Sequence, residues 1–162
     1  MIPIRGGARW SVLRPVMAEI VLTTLNAKYI HAAFGLRYLL ANMGELRSRA
    51  ELIEFDINQR ALEIVEKLLA LEPRIIGFGV YIWNTRETEA VVEVVRRLAP
   101  DVLIVLGGPE VSHENDVQSL VALADVVITG EADLKFAQVC SALLAGERPA
   151  PKIVAAEIPA LT

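Results

Sequence analysis

The sequence predicts a doubly wound α/β domain: a five-stranded parallel sheet in the flavodoxin-like (Rossmann-like) order 2-1-3-4-5, with helices on both faces. Short apolar runs alternate along the chain with segments of helical periodicity, which is the pattern of strand–helix–strand units. The run at 102–106 contains only Val, Leu and Ile, as expected for a strand that is buried on both faces. The hydrophobic fraction of 54% is high, yet no apolar run is long enough to span a membrane.

The first half of the chain is expected to form two strand–helix units. A first strand at 19–25 leads through a polar loop into a helix at about 34–43, whose apolar residues repeat every three or four positions. Gly44 follows as the expected C-terminal cap of that helix. A second strand at 50–55 alternates apolar and polar residues, and a second helix is expected at about 60–71.

The third strand is expected at 74–81 and contains Gly77 and Gly79. Glycines inside a strand usually mark a place where another backbone or a ligand comes close. Asn84 is expected to cap the helix that follows, with Glu87 as its capping-box partner.

The fourth strand ends in a paired-glycine turn, Gly107-Gly108. Taken alone, this turn is either a plain chain reversal or an edge where a ligand can touch backbone that carries no Cβ. A short helix is expected at 116–122 and a fifth strand at 124–129, after which Gly130-Glu131 turns the chain into a last helix.

The 162 residues fit one domain, expected at 17–146, with an N-terminal extension at 1–16 and a Pro-containing linker or tail at 147–162. The net charge is −4 and the Lys and Arg residues are scattered, so the sequence predicts neither nucleic-acid binding nor a membrane partner. Cys140 is the only cysteine, which excludes an internal disulfide and an iron–sulfur cluster within this chain. This composition fits the reducing cytoplasm, and Cys140 is expected in the core.

In a sheet of this order, the loops after strands one, three, four and five meet at the carboxyl edge. Aromatic, amide-bearing and glycine residues dominate the predicted rim there: Asn26, Tyr29, Tyr81, Trp83, Asn84, Gly107 and Gly108. Such a rim suits a large ligand with apolar faces and amide edges, because Asn side chains and backbone groups pair with amides while glycines permit contact.

Other users of this fold match the sequence poorly. A dinucleotide-binding domain would carry G-x-G-x-x-G after the first strand, where this chain has Thr24-Leu25-Asn26-Ala27. A phosphoacceptor domain would need an Asp at the end of the third strand, where Tyr81 stands. No catalytic set is visible either, since the only histidines are His31 and His113 and neither is near the cysteine in sequence.

Four loop motifs together resemble one family. They are LTTLNAKYIH at 22–31, with GLRYL at 35–39 behind it, GFGVYIWN at 77–84, GGPEVS at 107–112, and Gly130-Glu131. Over about residues 17–146 the chain resembles the N-terminal cobalamin-binding domain of radical S-adenosylmethionine (radical SAM) proteins. The resemblance implies that the domain holds cobalamin (vitamin B12) over the carboxyl edge and presents it to a catalytic barrel, commonly for methyl transfer.

The cofactor-binding residues that the resemblance and the rim together imply lie in the four loops. They are Asn26, Tyr29, His31, Tyr81, Trp83, Asn84, Gly107, Gly108, Pro109, Glu110, Ser112, Gly130 and Glu131.

The chain departs from its relatives in three places, one of which is Val80-Tyr81-Ile82 where the relatives usually carry S-x-L after the third strand. Cobalamin-dependent methyltransferases carry D-x-H-x-x-G after the first strand, but here no Asp stands two residues before His31, so His31 is not assigned as a cobalt ligand and no metal ligand is predicted. The C-x-x-x-C-x-x-C cluster motif of the catalytic barrel is also missing, as a single cysteine requires. A radical SAM domain would therefore be supplied by a longer polypeptide or by a partner chain.

Two other hypotheses stay open at the level of sequence. The chain could be an interaction or regulatory domain that keeps the fold without the ligand, which exposed aromatic residues such as Tyr81 and Trp83 would favour. It could also act alone on a nucleotide-like ligand, although no catalytic constellation supports that.

Overall fold

The computed structural model describes residues 17–27, 33–113 and 118–156. Its strands are β1 (Ile20–Asn26), β2 (Ala50–Asp56), β3 (Ile75–Gly79), β4 (Leu103–Gly107), β5 (Val126–Thr129) and β6 (Ile153–Ala155). Its helices are α1 (Phe34–Ala41), α2 (Ala61–Leu69), α3 (Thr85–Leu98), α4 (Pro109–His113), α5 (Ser119–Leu123) and α6 (Lys135–Leu144). A 3₁₀ helix at Gly44–Arg49 connects α1 to β2. Among the described residues, no helix is both long enough and apolar enough to cross a membrane.

The strands form one parallel sheet in the order β2-β1-β3-β4-β5-β6. The predicted order is confirmed for the first five strands. β1 and β3 are neighbours, and the chain continues from β1 to β2 on one side and from β3 to β4 on the other. In open α/β sheets, ligands bind outside the carboxyl ends of the strands at such a switch point.

The expectation of five strands is wrong by one. Residues 153–155, assigned to a linker or tail, form β6, which pairs in parallel with β5 from Val127↔Ile153 to Thr129↔Ala155. The pairing occupies the backbone donors and acceptors that β5 would otherwise expose along an edge of the sheet. The sheet therefore continues beyond the predicted domain boundary at residue 146.

The two faces of the sheet carry separate apolar layers. Helices α2, α3 and α5 cover one face, where Val65, Val92 and Leu120 are fully buried. The other face is covered by α1 and α6, through residues such as Leu36 and Val139. This arrangement confirms helices on both faces.

The single cysteine lies in the second of these layers. Cys140 on α6 is fully buried, as expected from the sequence, and burial raises the pKa of its thiol to about 12. The side chain is thus a neutral apolar packing group.

One polar cluster at the amino end of the sheet joins three elements. Arg96 on α3 donates hydrogen bonds to the carbonyl of Leu123 and to the carboxylate of Asp125, at 2.8 and 2.7 Å. The other carboxylate oxygen of Asp125 accepts from Arg148 at 2.8 Å, while the Ile104 amide donates to the same oxygen as Arg96. The cluster fixes the start of β4 against the start of β5.

This cluster predicts a pH dependence of stability. Burial raises the pKa of the Asp125 carboxyl, but hydrogen bonds from Arg96 and the Ile104 amide and the charge of Arg96 outweigh it, so the folded-state pKa is lowered. A lowered folded-state pKa stabilises the fold above the unfolded-state pKa of about 3.9, and this stabilisation is lost as the pH falls through the folded-state value.

We expect Asp125→Asn to be less stable than the wild type in urea unfolding at neutral pH, and the difference in free energy of unfolding to shrink below about pH 4. Asp101→Asn is the matched control, because Asp101 lies exposed just before β4. A gap between Asp125→Asn and wild type that stays constant down to about pH 3 contradicts this account.

Candidate functional site

A cleft of about 220 Å³ opens at the carboxyl edge of the sheet, between the strands and helices α1 and α6. Its lining residues come from β1, β3, β4 and β5, from the loops that follow β3 to β5, and from the two helices. They are Leu22, Gly35, Leu36, Leu39, Gly77, Phe78, Gly79, Tyr81, Val105, Leu106, Gly107, Gly108, Pro109, Ile128, Gly130, Ala132, Asp133 and Phe136. Of the four loops predicted to converge, those after β3, β4 and β5 meet at this cleft.

Paired glycines form the floor of the cleft. Gly77 and Gly79 are two residues apart on β3, so they lie on the same face of the sheet. Gly79 is the register partner of Gly107 on β4, so two adjacent strands lack a side chain at the same level. The sheet surface is therefore low at Gly79 and Gly107, because no side chains project from the strands there.

The glycines of the floor differ in what they make room for. A Cβ on Gly77 would lie 2.8 Å from the ring of Phe136, so that glycine admits the α6 aromatic ring onto the strand. A Cβ on Gly107 would meet nothing closer than 3.8 Å. Gly107 therefore leaves open space, whereas Gly77 is already in contact with Phe136.

Gly108 serves the chain itself. Its φ is +115°, in the region that favours glycine, and a Cβ there would overlap the carbonyl oxygen of Val80 and lie 2.9 Å from the Val80 nitrogen. The Val80 amide also donates to the Gly107 carbonyl at 2.8 Å, which holds the two loops together. The sequence interpretation treated Gly107-Gly108 as one ligand edge. In the structure only Gly107 leaves open space, whereas Gly108 is required by the close approach of the two loops.

Asn84 joins the ends of β1 and β3 at the switch point. Its buried side-chain amide donates to the Thr24 hydroxyl at 3.1 Å, to the Leu25 carbonyl at 3.0 Å and to the Gly79 carbonyl at 3.2 Å, and its Oδ1 accepts from the Tyr81 amide at 2.9 Å. The expected capping box with Glu87 is wrong. Asn84 does stand at the N-cap position of α3, but its side chain makes no capping bond to the helix because it is held by the strands.

We expect Asn84→Ala to lower the free energy of unfolding by about 3 kcal/mol, since it leaves buried backbone groups of both strands without their partner. Asn42→Ala is the matched control, because Asn42 is exposed and its side-chain amide donates to the Tyr38 carbonyl within the same helix turn. Urea unfolding of the two variants measures the difference. Equal destabilisation would mean that the Asn84 hydrogen bonds do not hold the strand ends together.

An aromatic pair stands beside the cleft. Tyr81 and Trp83 stack with ring centroids 4.7 Å apart and an interplanar angle of 3°. Tyr81 lines the cleft and is half-buried, while Trp83 is 51% exposed. Burial, and then the nearby Glu54 carboxylate, raise the pKa of the Tyr81 hydroxyl, so it remains a hydrogen-bond donor at neutral pH.

Glu54 on β2 positions the helical wall of the cleft. Its carboxylate accepts a hydrogen bond from the amide of Ala33, the residue before α1, at 2.7 Å, and forms an ion pair with Arg37 at 3.2 Å. A negative group at a helix N-terminus is favourable because the first amides have no partner within the helix. The sequence interpretation did not include Glu54, because a carboxylate on a peripheral strand resembles an ordinary surface residue.

Ser112 connects the loops after β4 and β5. Its hydroxyl donates to the Gly108 carbonyl at 2.8 Å and accepts from the Gly130 amide at 3.2 Å. Glu110, half-buried on α4, donates its backbone amide to the Val80 carbonyl at 3.4 Å. These two predicted site residues therefore shape the rim through hydrogen bonds within the protein.

The remaining predicted site residues divide by position. Pro109 and Gly130 line the cleft, and Glu131 is exposed one residue further on. Asn26 ends β1, where its carbonyl accepts from the Ile57 amide at 2.9 Å, and it is not among the cleft-lining residues. Tyr29 and His31 lie outside the described residues, so their prediction stands as made.

The sequence interpretation missed the deep walls of the cleft, which are formed by apolar side chains of the strands and of α1 and α6. Leu36, Val105 and Phe136 follow the same spacing as core residues, and nothing in the sequence separates a cleft wall from a packed core. The available signal was Gly77 and Gly79 within β3, which indicated a close approach to that strand.

Residues 20–140 match the family model described as the B12 binding domain. The chain belongs to this family. No curated protein matches the chain in sequence. Among solved structures, this B12-binding domain is similar to a cobalamin-binding protein from Desulfitobacterium hafniense DCB-2, with 22% identity and a TM-score of 0.57 over 78% of this chain and 58% of that one.

Two further solved structures share the fold. The cobalamin-dependent S-adenosylmethionine radical enzyme OxsB is 14% identical, with a TM-score of 0.58 over 88% of this chain and 23% of its own. The receiver domain of the stress response regulator RcsB from Escherichia coli is 10% identical, with a TM-score of 0.56 over 86% of this chain and 99% of its own. At these identities the likenesses show the fold alone. This B12-binding domain spans 58% of the D. hafniense protein and a quarter or less of OxsB.

Proposed function

We propose that this B12-binding domain holds cobalamin with the nucleotide base of the cofactor in the glycine-floored cleft and the corrin ring across the rim. The cleft that opens over Gly79 and Gly107 is the observation that carries the proposal. When bound, cobalamin supplies a cobalt centre that can carry and release an alkyl group such as methyl.

The size and polarity of the cleft decide which part of cobalamin enters it. Its volume of about 220 Å³ is below the roughly 300–1,000 Å³ of pockets that enclose whole drug-sized ligands, so it suits one portion of a large cofactor. The corrin carries amide arms around its edge, which would lose hydrogen bonds between apolar walls such as Leu36 and Phe136. Dimethylbenzimidazole, the base at the end of the nucleotide tail, is flat and largely apolar and matches those walls.

The rim then supports the corrin. Gly130 allows close approach of the corrin ring, because it places no side chain over the edge of the sheet. The Tyr81–Trp83 pair offers an aromatic wall beside the mouth, with the Tyr81 hydroxyl as a donor for an amide arm. His31 is not proposed as a cobalt ligand, since it lacks the Asp that accompanies such a ligand in the D-x-H-x-x-G pattern.

We further propose that the domain presents its cofactor to a radical SAM catalytic domain, in the same longer polypeptide or in a partner chain. The four loop motifs support this, as does the likeness of the fold to part of OxsB. Large apolar side chains also stand exposed around the carboxyl edge: Phe34 at 68%, Ile82 at 77% and Leu134 at 56%. Exposed apolar side chains of this kind suit a surface that a second domain covers, with the cofactor held between the two domains.

Incubation of the 162-residue chain with hydroxocobalamin, followed by desalting and a visible absorption spectrum, tests cofactor binding. We expect about one corrin per chain to be retained. His31→Ala should retain the same amount with the same spectrum, because cobalt takes no ligand from that side chain. Loss of corrin from the wild-type chain contradicts the proposal, and a spectral change in His31→Ala contradicts the statement about the cobalt ligand.

A further inference from the structure

We propose that the cleft makes this domain selective for the lower base of the cofactor, so that it binds cobamides with a benzimidazole base in preference to cobamides with a purine base. The inference rests on the proposed function, in which the base occupies the cleft. It concerns which members of the cobamide class the domain accepts.

The side chains with which the described residues line the cleft are almost wholly hydrocarbon. The floor strands and both helical walls lie within the described residues, and their contribution is apolar: Leu22, Leu36, Leu39, Val105, Ile128 and Phe136. Within the described part of the lining, Tyr81 and Asp133 supply the polar side chains. Asp133 is exposed, so its carboxylate belongs to the mouth.

Four backbone groups along the glycine edge already have partners within the protein. The Gly79 carbonyl accepts from Thr24 and Asn84, and the Gly107 carbonyl accepts from the Val80 amide. The Ser112 hydroxyl bonds both the Gly108 carbonyl and the Gly130 amide. These four groups are therefore already engaged in hydrogen bonds when a base enters the cleft.

A purine would be disfavoured in such an environment. Adenine carries an exocyclic amine and several ring nitrogens, and each one buried against Val105 or Phe136 would lose its hydrogen bond to water without a replacement. Dimethylbenzimidazole carries two methyl groups on its outer edge, which gain contact with the same side chains. We expect a preference of about tenfold or more for the benzimidazole cobamide.

Dissociation constants of the full chain for cobalamin and for the adenine-containing cobamide test the proposal, measured by equilibrium dialysis with corrin absorbance as the readout. Tighter binding of cobalamin by about tenfold or more is expected. Equal affinities, or tighter binding of the adenine cobamide, overturn the inference alone. Failure of both cobamides to bind overturns the proposed function and the inference together.

A polar substitution in the wall gives the matched test. Leu39→Gln places an amide at a half-buried position of the lining, and it should reduce the ratio of the two dissociation constants by improving adenine binding relative to cobalamin. Leu62→Gln on α2 is the control, since Leu62 is 53% exposed and lies away from the lining. Circular dichroism confirms that both variants fold. A ratio that is the same in Leu39→Gln, Leu62→Gln and wild type contradicts selection by the apolar wall.

Discussion

Gly107→Val is expected to weaken cobalamin binding about thirtyfold while the chain remains folded. The valine side chain would enter the open space above β4, where a Cβ has no neighbour within 3.8 Å and where the proposed base lies. Loss of the burial of an aromatic ring costs about 2 kcal/mol, which corresponds to that factor. The fold should tolerate the change because position 107 ends a strand, where valine is a favoured residue.

Gly107→Ala and the truncated cofactor cobinamide complete this experiment. A methyl group at 107 fits with ordinary contacts, so the alanine variant should bind cobalamin nearly as tightly as the wild type. Cobinamide keeps the corrin but lacks the nucleotide, and its affinity should be the same for wild type and Gly107→Val. If Gly107→Val binds cobalamin with wild-type affinity, the base does not occupy the cleft.

Gly108→Ala is expected to destabilise the fold by about 3 kcal/mol or more, although it adds only one methyl group, at the residue next to Gly107. The backbone of Gly108 has φ of +115°, and a Cβ would overlap the backbone of Val80, which cannot move without breaking its hydrogen bond to Gly107. The free energy of unfolding in urea measures the effect.

Gly146→Ala separates the cost of the positive φ from the cost of the overlap with Val80. Gly146 also has a positive φ, +83°, but a Cβ there would meet nothing within 4 Å. Its substitution should therefore cost only the backbone term of about 1 kcal/mol. If Gly108→Ala and Gly146→Ala destabilise the chain equally, the contact with Val80 contributes nothing.

Much of the fold could be predicted because it depends on local patterns. The apolar run before Gly107 and the helical repeats between the strands are readable from residue spacing, and their strict alternation requires a parallel sheet. The sixth strand could not be predicted in the same way. Ile153–Ala155 is short and follows a segment with Pro149 and Pro151, and it becomes a strand only because β5 offers it an edge.

The site was predictable to the level of its loops. Gly107, Gly130 and Tyr81 were placed at one edge from topology alone, and they do line one cleft. The separate roles of Gly107 and Gly108 could not be inferred, since they depend on the close approach of Val80, which is brought beside them by the pairing of β3 with β4. Asn84 was expected at a helix start, but its burial between two strands is likewise a tertiary property.

The central claim is that the nucleotide base of cobalamin lies in the glycine-floored cleft, and methyl NMR of the full chain tests it most directly. On addition of hydroxocobalamin, the methyl resonances of Leu36, Val105 and Ile128 should shift through the ring current of the base, whereas cobinamide should leave them in place. If cobalamin binds and these methyl resonances do not move, the base lies outside the cleft and the account is wrong.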